Sequence, residues 1–207
     1  MLGLMTASST ASTAPPASLV QLLDGRASAG EIERHLDGLA PARRLEEMLA
    51  VTGRRVGMLF DAVAGAAPVT IEELIPQSTK GTLIYEGRNS LPLFSRFQKR
   101  FERLPGGQVV GYNHQTMSFV TGPGYFVVKE PAASGDHKDE LLFDYTENPP
   151  GEPAGWPAFS ANDRGLSKLV YANMRDYCRR VARGIVVGKA YKLGVDQKQF
   201  FSLTLAV

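Results

Sequence analysis

The chain has 207 residues, of which 43% are hydrophobic and 21% charged, and its formal net charge is +2. That balance suits a globular chain with a continuous core and excludes wholesale disorder; a surplus of two positive charges does not by itself point to nucleic acid or a membrane. The lone cysteine, Cys178, excludes an intrachain disulfide and any cysteine-cluster zinc or iron–sulfur site, and fits a reducing compartment.

The opening "MLGLMTASSTASTAPPASL" has no basic region and no apolar run of the kind that marks a secretion signal, so residues 1–18 read as a disordered arm. No apolar stretch along the chain is long enough to span a bilayer, and a cytoplasmic protein is expected. Residues 19–207 are expected to form one α+β domain.

Residues 19–78 read as a helical layer. Gly30, Gly38 with Pro41, and Gly53 punctuate a run rich in Ala, Leu, Glu and Arg, with Ser28 and Thr52 as expected N-terminal caps. Leu45, Met48 and Leu49, then Val56, Leu59, Phe60 and Val63, recur at spacings of three and four, as packing stripes do. "VTIEELIP" adds a turn that Pro76 stops.

From Gly81 the texture becomes short β-type runs between Gly and Pro: "GTLIYEG", "QVVGYNHQTMSFVTG", "GYFVVKE", "ELLFDYTE", "GIVVGKAYKL" and "QFFSLTLAV". Tight connections, including "GVDQK" between the last two, predict a curved, barrel-like antiparallel sheet across 79–207. Two amphipathic helices are expected to pack on it. In the first, over 92–104, Phe94, Phe97, Phe101 and Leu104 share a side opposite Arg96, Lys99, Arg100 and Arg103; the second spans 163–183. Their basic faces are read as solvated surface, with a membrane surface or acidic partner as a rival use. The absence of a nucleic-acid motif and the acids between Glu130 and Glu152 argue against nucleic acid.

Candidate site residues lie on strands and in loops. Arg88, just before the first expected basic helix, could hold an anion. Val110, Tyr112 and His114 alternate onto one strand face, where His114 could serve as a base with Tyr112 or Asp144 assisting. Tyr125 is a candidate polar group at a cavity mouth, and Trp156, in the loop "TENPPGEPAGWPAFSAND", a rim or a buried pin.

No metal or nucleotide cofactor is expected. "GIVVGKA" has Arg183 where a phosphate loop needs its first Gly and Ala190 where it needs a hydroxyl residue. The sequence therefore supports a binding protein for a small apolar or amphipathic, and conceivably anionic, ligand in a sheet-lined cavity. A metal-free isomerase, cyclase or hydrolase using His114 is the first alternative. An interaction protein using the basic helices is the second. Ligand identity and oligomeric state are not legible.

Overall fold

The computed structural model describes residues 17–92, 95–114, 122–162 and 167–206. Most of the arm expected at 1–18 therefore lies outside the described residues, as do 115–121 of the expected second strand and parts of both expected basic helices.

The helical layer forms as its caps dictate. Ser18 caps α1 (Leu19–Asp24), its hydroxyl accepting from the Gln21 N–H. Ser28 precedes α2 (Ala29–Asp37), and the Glu31 carboxylate accepts from both its N–H and its hydroxyl. Pro41 opens α3 (Pro41–Ala50), where its missing N–H costs nothing. At α4 (Arg54–Ala62) the cap is Gly53, φ 55°, rather than Thr52. Thr70 caps the single turn α5 (Ile71–Leu74).

The sheet is a closed barrel of eight antiparallel strands: β1 (Leu83–Asn89), β2 (Arg96–Arg103), β3 (Val109–His114), β4 (Tyr125–Lys129), β5 (Leu141–Asp144), β6 (Met174–Ala182), β7 (Ile185–Lys192) and β8 (Val195–Leu205). Each strand pairs with the next, and β8 returns to β1 with Leu205 opposite Tyr85 and Phe201 opposite Asn89. Closure leaves no sheet edge unpaired. The final hairpin turns on Leu193 and Gly194, φ 52° and 77°, so "GVDQK" contributes the second turn residue, Gly194, and the start of β8.

The expected α+β architecture of N-terminal helices followed by a barrel-like sheet is what forms, but the two basic helices do not. Arg96–Arg103 is β2, and Met174–Ala182 is β6. Within 163–183 the described helix is only α6 (Ser167–Val170). Phe97 and Phe101 are four apart, a spacing that returns to the same face of either a helix or a strand. Closure decides for the strand, because β2 carries two ladders, to β1 and to β3, that a helix could not supply.

Two cores result. Leu19, Ile32, Leu36, Met48, Leu59 and Phe60 pack against Val181, Ile185 and Val187 on the outside of β6 and β7. Tyr85, Phe101, Phe126, Phe143, Cys178 and Leu203 fill the barrel. Three inward glycines stand directly opposite aromatic residues in the ladders: Gly87 with Phe97, Gly111 with Phe126 and Gly188 with Phe201. A Cβ on Gly87 would lie 2.6 Å from the Phe97 ring, so the missing side chain is what lets the ring cross its neighbour's backbone.

One end of the barrel is stoppered by the α5 segment. Leu74 and Ile75 join the interior core, the Tyr85 hydroxyl donates to the Leu74 carbonyl at 2.8 Å, and Glu130 receives the Ile71 N–H. The opposite end, where β1, β3, β5 and β7 finish, is open among the described residues. Among the described residues no helix is long and apolar enough to cross a membrane.

Candidate functional site

At the end opposite the α5 stopper lies a cavity of about 190 Å³, lined above its floor mainly by Leu91, Phe97, Val170, Met174 and Phe201, with Asn89 and Gln199 among them. The Phe200 ring points the other way, onto Phe60 of the helical layer. Its floor is polar: Lys99, Asn113, Tyr145 and Asp176. The register explains the convergence. Lys99 of β2 faces Asn113 of β3 across the ladder, Tyr145 follows β5, and Asp176 lies on β6 between the inward residues Met174 and Cys178.

Lys99 is 2% exposed and Asp176 4% exposed. The Lys99 ammonium position reaches Asn113 Oδ1 at 2.8 Å, Asp176 Oδ2 at 3.2 Å and the Tyr145 hydroxyl. Those three acceptors match the three N–H bonds of an ammonium. Five rings surround it, with Phe126 nearest at 4.7 Å and Phe201 at 5.0 Å from their centroids. Asn113 Nδ2 also donates to the Gly124 carbonyl and the Tyr145 oxygen, so the floor is a connected network.

Burial sets the electrostatics. It pushes the Lys99 amine below its ordinary range and the Asp176 carboxyl above its own, while each charge partly restrains the other's shift. Burial also raises the Tyr145 phenol and the Cys178 thiol, so Cys178 is an inert wall below the network. As ammonium with carboxylate, or as amine with carboxylic acid, the pair carries no net charge. Chemically, the floor offers an amine, a carboxyl, a phenol and an amide to a polar group entering from an apolar vestibule.

Of the residues singled out from sequence, only Lys99 lines this cavity, and it does so as a buried residue rather than part of a basic surface. The inward faces of β3 and β4 carry Gly111, Asn113 and Phe126, which leaves Tyr112, His114 and Tyr125 on the outside. There Trp156 packs on Tyr112 at 4.7 Å and on Tyr125 at 6.0 Å, and its indole donates to the Thr82 hydroxyl. The Trp156 loop is thus a strap over an outer aromatic face. His114 is exposed beside Tyr112, and burial followed by the Arg100 charge lowers its pKa.

Asp144 is also on the outside, held by Lys129, Arg175 and Thr146; burial alone would raise its pKa, but the Thr146 hydrogen bonds and then Lys129 lower it. Arg88 lies across from Arg96 and Ser202 with its Nε buried, and desolvation and the Arg96 charge lower its pKa. Arg96 is exposed, Arg100 bonds Gln98 and Tyr112, and Arg103 donates to the Ile75 carbonyl at the stoppered end. The continuous basic face expected of a helix is therefore divided among the lumen, the outer wall and the stopper.

Asp176, Tyr145 and Asn113 escaped the sequence reading. Their signal was local: Lys99 stands two residues from Phe97 and from Phe101, and Asp176 two residues from Met174 and from Cys178. A charge flanked by apolar residues at strand spacing faces inward. Among the described residues no group of three His, Cys, Asp or Glu side chains is placed to hold a metal ion. Comparison of the chain with protein-family models, with curated proteins and with solved structures finds no match.

Proposed function

We propose that the barrel binds a small amphipathic molecule at the end opposite the α5 stopper, polar group down on the Lys99–Asp176–Tyr145–Asn113 floor and apolar body between Phe97, Met174 and Phe201. The supporting observation is the cavity itself, an apolar vestibule ending on a buried, charge-neutral polar network. Small barrels enclose such sites, and a few convergent polar groups fix the ligand's orientation. The volume of about 190 Å³ corresponds to about six waters of liquid, which selects a short chain or single ring. If the ligand is anionic, Lys99 rather than Arg88 receives it.

An acid–base enzyme in the same cavity would draw on Lys99 and Asp176, since His114 lies outside it. The reading of the protein as one that docks basic helices loses its premise with those helices.

Calorimetric titration of the full chain with hexan-1-ol and with hexanoate tests the proposal. One site is expected, and Ala190→Phe, which fills the cavity from β7, should abolish it while leaving the thermal transition intact. Equal binding by both proteins, or none by either, would overturn it.

A further inference from the structure

We infer that Lys99 captures an aldehyde-bearing ligand covalently, as an imine at the cavity floor, a proposal that rests on the binding site just described and names its ligand class. Only the neutral form of an amine carries the lone pair that attacks a carbonyl, and a lysine in water is almost wholly protonated near neutrality. Lys99 is placed to be an exception. It lies among five aromatic rings, 3.2 Å from Asp176 Oδ2, at the bottom of a cavity that leads outside. Burial disfavours the ammonium and also the carboxylate, so both shifts favour moving the proton from Lys99 to Asp176. Among the described residues, the titratable groups around Lys99 are Asp176, Tyr145 and Cys178.

Two other lysines show the contrast. Lys129 is held by Asp144 and Glu147, and Lys189 by Asp196; in each case the carboxylates outweigh burial and raise the pKa. Both remain ammonium. Selectivity for Lys99 thus follows from environment, without any special reactivity of the ligand.

The chemistry balances within the network. The Lys99 Nζ lone pair adds to the carbonyl carbon while the carbonyl π pair moves to oxygen, which takes the proton held by Asp176. The resulting carbinolamine nitrogen gives up its two protons, one returning to Asp176 and one leaving with the oxygen as water, as the nitrogen lone pair closes the C=N bond. The Tyr145 hydroxyl and the Asn113 amide flank the departing oxygen. No oxidant or reductant is required, and the product is an imine plus one water.

The test is reductive trapping on the full chain. Protein near neutral pH is incubated with hexanal and sodium cyanoborohydride, then measured by intact mass and peptide mapping, with hexan-1-ol as the non-reacting isostere. The expected result is one reduced adduct, mapped to Lys99, suppressed by excess hexan-1-ol and lost in Ala190→Phe, which keeps Lys99 but blocks its access. Lys99→Arg, which keeps a long nitrogen-bearing side chain but has no primary amine to form an imine, should also lose it. Hexan-1-ol binding with adducts scattered over exposed lysines such as Lys198, sparing Lys99, would overturn the capture and leave the binding site standing. No hexan-1-ol binding together with an unmodified Lys99 would overturn both.

Discussion

Lys99→Met keeps an unbranched stem of similar length and removes the amino group, which isolates Asp176 in a site where it is 4% exposed. An unpaired buried carboxylate is costly, and breaking such a pair from one side typically destabilises by about 3–5 kcal/mol. Asp176 can limit that cost by taking a proton. For a carboxyl with an unfolded pKa of about 3.9, protonation costs about 4 kcal/mol at pH 7 and about 2 kcal/mol at pH 5.5. The wild-type pair holds one proton, as the unfolded pair does near neutrality, so it contributes no pH slope of its own there. In Lys99→Met the folded state instead keeps a proton that the unfolded chain has released, and stability falls as pH rises above the unfolded value. Urea unfolding of both proteins should therefore show a difference of about 4 kcal/mol at pH 7 that roughly halves at pH 5.5. The double variant Lys99→Met/Asp176→Leu, with the cavity beside it to absorb the added volume, should recover most of the loss. A single-variant loss that matches the double and ignores pH would refute the buried pair.

Gly111→Ala would place a Cβ against the Phe126 ring and 2.9 Å from the Arg100 carbonyl oxygen, so a loss of about 1–3 kcal/mol is expected in thermal unfolding. Trp156 is the chain's one tryptophan; its emission should be blue-shifted in the native protein, and Trp156→Ala should cost about 1–3 kcal/mol by loosening the strap over Tyr112 and Tyr125. Glu47 is buried in the helical layer, where bonds from His35 and from the Leu19 N–H, each 2.7 Å, outweigh desolvation and lower its pKa from 4.5. A depressed carboxyl stabilises above its unfolded pKa and loses that effect as pH falls through the folded one. Glu47→Gln should therefore be less stable than wild type at pH 6, with the gap closing below about pH 4.5 in acid titration followed by circular dichroism.

The helical layer was legible because its signals are local. Ser28 with Glu31, Pro41, Thr70 and the three-and-four spacing of Val56, Leu59, Phe60 and Val63 act within a turn or two of chain. The strands with near-continuous apolar runs, β4, β5, β7 and β8, were legible for the same reason. The misread strands, β2 and β6, are the two that carry the buried pair. Lys99 and Asp176 interrupt the alternation that marks a strand, so the residues that build the candidate site are also what disguised it. Alternation assigned Tyr112 and His114 to one strand face, and that face is the outer wall, where Tyr125 and Trp156 also pack: alternation gives a common face without saying whether it is inside.

The sequence by itself determined the N-terminal helical layer with its caps at Ser28 and Thr70, the turns at glycine and the presence of a curved antiparallel sheet, because each depends on neighbours a few residues away. Only the tertiary structure decided that β8 closes on β1, that β2 and β6 are strands, and that Lys99 meets Asp176 from 77 residues along the chain. A lysine amid phenylalanines is equally consistent with a wet helix and a sealed lumen. The free energy that separates them comes from the closed ladder and the rings packed around the Lys99 side chain, and those contacts exist only once the barrel has formed.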